Sequence, residues 1–267
     1  MPHFAKLTVS MCLIPALLLG GCSVQAGERE DEKFENYTYE LFCSEVASNT
    51  VNLHYMLKDP ESYGIDEAPV AFGEFPTDAD QTKAVSENMQ EVLLGFSYQD
   101  LSLRNRLTYD ILNYYLRSLK EYADFLLYEE PLSLVSGIQT QLPVLLSEYQ
   151  FYSEEDVETY LSLMQTTPEY FEQLIEFEKK KSEAGLFMAD YAADTVIEQC
   201  VAFLDMGNGN YLYSTFTERI EDLDELTEKE KSDYIQKNAL MMEEYVYPAY
   251  ENLVSAIQAL KGTGKNE

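Results

Sequence analysis

The chain of 267 residues carries 18 Lys+Arg against 48 Asp+Glu, a formal charge of −30 at pH 7. So acidic a surface repels a phosphate backbone, which excludes nucleic-acid binding, and no polybasic run is present to hold an anionic membrane. Apolar residues make up 46% of the chain, with 21 Tyr and 13 Phe, enough for a sizeable core and against disorder.

Lys6 and the free amine precede an apolar run, Leu7 to Leu19, which closes in Leu19-Gly20-Gly21-Cys22. The run is shorter than the roughly 20 residues that cross a bilayer, so it reads as a cleaved signal. Small residues before a cysteine are what a lipoprotein-processing peptidase requires, and the Cys22 thiol is the nucleophile that accepts a diacylglyceryl group. Residues 1–21 are therefore expected to be removed as a lipoprotein signal peptide, and His3 and Lys6 leave with them. Cys22 becomes the lipidated first residue of a protein anchored on the extracytoplasmic face of the cell membrane. Each buried methylene contributes about 0.8 kcal/mol, so two or three acyl chains are expected to do the anchoring alone.

Residues 22–35 are polar and charged (through SVQAGEREDEKFE) and read as a flexible tether. From 36 to 267 the pattern is that of one helical domain. Phe42, Val46, Leu53 and Leu57 share a face of a first helix that Pro60 and Gly64 terminate. A second helix is expected from Asp78 to Leu94, with Val85, Met89, Val92 and Leu93 inward and Gly95 as its stop. In the third, Leu103, Leu107, Ile111, Tyr115, Leu119 and Tyr122 recur every three or four residues as the inward stripe. Glu129 to Tyr149 breaks the rhythm: Pro131, Gly137 and Pro143 interrupt an apolar stretch, leaving a buried loop or a short strand edge. Ser153 with Asp156 forms a capping-box pattern, and Thr167-Pro168 restarts a helix that Gly185 closes. Asp190 to Leu204 is a further helix, ended by Gly207-Asn208-Gly209. Thr227 with Glu230 caps the last, which passes Pro248 with a kink and ends near Lys261-Gly262. The fold class is all-α, a multi-helix assembly.

Few residues could carry chemistry. Once the signal is gone His54 is the single histidine, which excludes a paired-histidine zinc helix, and no GxSxG elbow accompanies it. Its apolar helical setting reads as that of a structural residue, with a place in a cleft as the alternative. Asp205 to Glu218 superficially suggests a calcium loop. Counted from Asp205, however, glycines fall at positions 3 and 5 and Phe216 at 12, where oxygen ligands belong, so it is a turn. Cys43 and Cys200 sit among apolar neighbours and read as buried thiols rather than a disulfide, although an extracytoplasmic bridge stays open.

Several stretches together resemble the domain-of-unknown-function 885 family, in its lipoprotein branch from Firmicutes. They are Leu53-His54-Tyr55-Met56-Leu57-Lys58-Asp59-Pro60 with Tyr63-Gly64-Ile65, Gly137-Ile138-Gln139 through Leu142-Pro143 to Glu148-Tyr149, and Phe151-Tyr152 with Glu155-Asp156-Val157. Lys181-Ser182-Glu183-Ala184-Gly185-Leu186-Phe187-Met188, Tyr211-Leu212 with Thr215-Phe216, and the ending from Leu260 to Glu267 complete the set. The family resembles helical zinc metallopeptidases about twice this length, whose HExxxGH-like metal helix lies in the C-terminal half. The resemblance implies that this chain is the N-terminal half of such a fold and inactive alone, from a truncated or split frame or a fragment. No metal ligand or catalytic carboxylate carries over, no cofactor is expected in these residues, and zinc is expected only with a C-terminal half supplied as a separate partner. In the irregular segment, Gln139 and Tyr149 are the candidates for substrate contact. The alternative is a lipid-anchored helical module that binds peptides or cations without catalysis. Apolar surface awaiting the other half is expected on the last helix, at Leu253, Val254, Ile257 and Leu260.

Overall fold

The computed structural model describes residues 26–265, so Cys22 and the signal lie outside the described residues. Within them are eleven α-helical segments and no strand. Contacts divide the chain into two compact units. The first holds Pro76–Leu126 with the residues up to Pro69; the second holds Val70–Phe75 with the residues from Leu127 on.

In the first unit, α1 (Ala26–Val46) runs through most of the stretch expected to be a tether. The difference has a physical cause: Phe34 and Tyr37 bury against Leu93, Leu101, Tyr109 and Leu116, so this polar segment carries an apolar stripe narrow enough to hide in its composition. Asn49 then breaks the expected single helix by capping α2 (Thr50–Met56) through the Asn52 N–H, 2.9 Å away. The next helix, α3 (Ala79–Leu94), starts where expected, because the Asp78 carboxylate accepts from the N–H groups of Asp80 and Gln81. It lies antiparallel to α4 (Leu103–Tyr122): Ser86 Oγ donates to the Leu116 carbonyl at 2.6 Å and Gln90 to Asn113 at 3.0 Å.

The face of α4 is a correction. Asn105, Tyr109 and Leu116 are buried, whereas Leu103, Leu107, Ile111 and Tyr122 are exposed, as is Val92 of α3. Both arcs of α4 are apolar enough to give a helical period; of the expected stripe, Tyr115 packs with Leu112 against the core and Leu119 is half-buried.

The second unit contains α5 (Ile138–Glu148), α6 (Glu154–Gln165), α7 (Thr167–Glu183), α8 (Asp190–Asp205), α9 (Tyr211–Glu221), α10 (Glu228–Met241) and α11 (Tyr247–Leu260). The capping boxes of Ser153 with Asp156 and Thr227 with Glu230 both form. Gly185, at φ +73°, closes α7, with its N–H on Ser182 and that of Leu186 on Lys181 at 2.7 Å. Gly207–Gly209 is a short 3-10 turn, after which Asn210 caps α9. A π turn, Met242–Val246, joins α10 to α11 directly before Pro248. The widened turn accommodates the missing proline N–H within a continuous helix. The last helix corrects a further expectation: Leu253 and Ile257 are buried, with α11 packed on α7 and α8, and Val254 and Leu260 are half-buried.

Candidate functional site

Of the irregular segment, residues 129–137 form the expected loop, with Pro131, Leu132 and Gly137 buried, and from Ile138 onward it is helical rather than a loop or a strand. Pro143 sits inside that helix and cannot donate to the carbonyl four residues earlier. That carbonyl, of Gln139, instead accepts the Tyr250 hydroxyl at 2.8 Å in a buried setting, so the backbone loses no partner. The Gln139 side chain is buried too. Its amide donates to the Ser133 carbonyl at 2.6 Å and to Gln199 Oε1 at 2.8 Å, and Gln199 donates to the Leu134 carbonyl at 3.0 Å. Together they fold the turn onto α5. A Cβ at Gly137 would collide with Gln139 Oε1 and with the Ser133 nitrogen, so only glycine fits there.

Tyr149 is also buried, its ring 5.6 Å from Tyr160 and 6.3 Å from Phe151. Arg219 donates to its carbonyl and to that of Leu146, covering the C-terminal end of α5. The guanidinium lies 4.5 Å over the Phe151 ring and 5.1 Å over that of Tyr160. Burial pushes the Tyr160 hydroxyl up to about 12. Gln139 and Tyr149, expected to face substrate, are thus buried in the packed interior.

The same segment is pinned from α7. Lys181, 0% exposed, donates to the Glu129 carbonyl at 2.7 Å, with Glu130 at 3.6 Å and Glu178 at 3.9 Å. Glu178 is 1% exposed, and neither carboxylate oxygen has a hydrogen-bond partner among the described residues. Burial raises it to about 7; Lys181 opposes that rise and Glu130 adds to it. A carboxyl half protonated near neutrality could exchange a proton, but here it is sealed from water beside the Lys181 ammonium. No signal in the sequence marks this pair, because Glu178 and Lys181 read as part of an ordinary charged helix.

In the first unit a groove of 450 Å³ opens between α3 and α4, lined by Lys83, Gln90, Arg117, Lys120, Glu121 and Asp124. Lys83 pairs with Asp124, and Lys120 with Glu87 at 2.7 Å. Arg117 forms no ion pair or hydrogen bond with the described residues.

These residues do not fit a zinc ion. Among the described residues no three His, Cys, Asp or Glu gather to hold a metal. His54 is half-buried at the end of α2, edge-on to Tyr55 at 5.4 Å. Cys43 and Cys200 are free thiols, and burial pushes Cys200 up to about 12. Among the described residues no helix is long and apolar enough to cross a membrane.

Comparison with known proteins adds two findings. The family model described as "Bacterial protein of unknown function (DUF885)" matches residues 75–266. The fold is similar to that of a solved protein from Colwellia psychrerythraea, provisionally described as a lipoprotein, with a TM-score of 0.70 at 15% identity. The likeness covers 92% of this chain but 43% of the Colwellia chain, so these residues span less than half of that longer fold. No curated protein matches the chain.

Proposed function

The chain belongs to the DUF885 family of bacterial proteins, and from that membership we propose that it is the non-catalytic helical part of a lipid-anchored, extracytoplasmic, zinc-metallopeptidase-like protein. The anchoring rests on one observation, the apolar leader that ends in Leu19-Gly20-Gly21-Cys22. The provisional description of the Colwellia protein as a lipoprotein supports the same reading. Its chemistry is simple: the Cys22 thiolate displaces the phosphate headgroup of a membrane phospholipid to form a thioether to its diacylglyceryl group. Hydrolysis of the peptide bond before Cys22 then leaves a free α-amine on a residue whose acyl chains lie in the membrane.

The non-catalytic role is supported by the share of the longer fold that this chain spans, 43%, together with His54 as its single histidine beyond the leader. Hydrolysis of a peptide bond needs an activated water and a group to polarise the carbonyl. The buried Glu178 can reach neither. Purified protein is expected to bind no stoichiometric zinc and to cleave no peptide library. Chelator-sensitive hydrolysis by this chain alone would refute the reading, and mass spectrometry showing an unmodified Cys22 in membrane-expressed protein would refute the anchor.

A second reading, a lipid-anchored peptide- or cation-binding module, draws on the α3–α4 groove. There Arg117, without an ion-pair partner among the described residues, faces a surface that also carries Glu121 and Asp124, a charge set suited to both termini of a short peptide. Calorimetry with basic and neutral peptides tests it: saturable heat lost in Arg117→Ala supports it, and no heat with either set ends it.

A further inference from the structure

Leu103, Leu107, Ile111 and Tyr114 of α4 are 83%, 62%, 59% and 74% exposed. Spacings of four, four and three residues align them along one side of the helix, away from the arc that buries Asn105, Tyr109 and Leu116. A line of four large apolar side chains marks a surface that meets something other than water.

The position of that line points to its occupant. Helix α1 begins at Ala26, four residues beyond Cys22, and four extended residues reach about 14 Å at most. Asp31, about 8 Å further along the helix, holds the start of α4: its carboxylate accepts the Ser102 N–H at 2.8 Å and the Asn105 amide at 2.9 Å. These two bonds keep Asp31 below the usual carboxylate range. Glu35 takes the same Asn105 amide at 3.1 Å, and Glu30 takes the Ser97 N–H at 2.8 Å. Leu103 therefore begins the exposed line within about 30 Å of the residue that would bear the acyl chains.

The chain as a whole is strongly acidic, yet α4 carries Arg104, Arg106, Arg117 and Lys120 against Asp110 and Glu121. At 100° per residue Arg104 and Arg117 lie at the two edges of the apolar line, and Asp110 and Glu121 fall on the same side of the helix. Exposed apolar side chains with a tyrosine among them are the pattern of a helix lying in a bilayer interface.

We propose that the exposed face of α4 lies against the bilayer that carries the Cys22 anchor. The proposal rests on the lipoprotein reading and adds to it a second contact with the membrane, made by the protein itself. The anchor raises the local concentration of this face at the surface, so a contact too weak to recruit the free protein is still occupied.

The chain contains no tryptophan, so one introduced at an exposed position reports alone. The lipidated full chain with Leu107→Trp, reconstituted into vesicles of equal parts phosphatidylglycerol and phosphatidylcholine, is expected to emit to the blue of the free indole. It should lose most of that emission when the phosphatidylcholine carries brominated acyl chains. Tyr114→Trp should behave alike, and should lose its quenching when Leu107→Glu and Ile111→Glu, both at exposed sites, are added. Acylated, vesicle-bound Leu107→Trp protein whose indole is not quenched overturns the proposal and leaves the lipoprotein reading intact. Blue-shifted emission without bromine quenching, accompanied by a dimer or complex in sedimentation, assigns the face to protein and overturns it as well. An unacylated Cys22 removes the anchor and overturns both.

Discussion

Glu178 is the residue whose environment makes the strongest demand. Its carboxyl is raised from 4.5 to about 7 by burial, so between those values the native state holds more protons than the unfolded chain. The stability this group contributes is present below about pH 4.5 and is lost as pH rises through 7. Replacing it by Gln removes that titration. The stability of Glu178→Gln minus that of the parent should grow by about 3 kcal/mol between pH 4.5 and pH 8, read from urea midpoints across pH. An equal slope in both proteins would place the titration elsewhere. Polar residues in apolar surroundings were legible here only as oddities. Gln139 stands out in its run, but its partner Gln199 lies 60 residues away, and a sequence cannot show that its amide is already spent.

At the scale of the element, α5 shows how a helix survives an internal proline. Tyr250→Phe leaves the Gln139 carbonyl buried without a donor and should cost about 1–3 kcal/mol, measured by denaturant unfolding. In a Pro143→Ala background residue 143 regains an N–H aimed at that carbonyl, so the same Tyr250→Phe change should cost markedly less. Equal costs in both backgrounds would mean that the tyrosine acts through packing alone. The comparison is a double-mutant cycle between groups that share one acceptor. It also explains why the segment around α5 reads as irregular. Local rules end a helix at a proline, and what restores it is a hydroxyl supplied from α11. The capping boxes and Gly185 were legible for the opposite reason, since donor and acceptor lie within a few residues of each other.

At the scale of the whole molecule, a short stretch of chain between α2 and α3 belongs with the second unit. Phe72 and Phe75 lie 5.2 and 5.0 Å from Tyr170, and Phe75 lies 6.2 Å from Phe177. Phe75→Ala should therefore cost about 1–2 kcal/mol and speed hydrogen exchange in α7, while amides of α3 and α4 keep their protection. Uniform loss of protection through all these helices would show instead that the units unfold as one. The sequence by itself determined the all-α class, the start of α3 and the capped ends of α6, α7 and α10, because each follows from period or from contacts within a turn. Only the tertiary structure decided which apolar arc of α4 is buried, that α1 folds rather than tethers, and that Gln139 and Tyr149 belong to the interior. Periodicity shows that a face exists, but whether it meets protein is settled by partners such as Phe34, Tyr37 and Asp31, which are distant in the chain and adjacent only after folding.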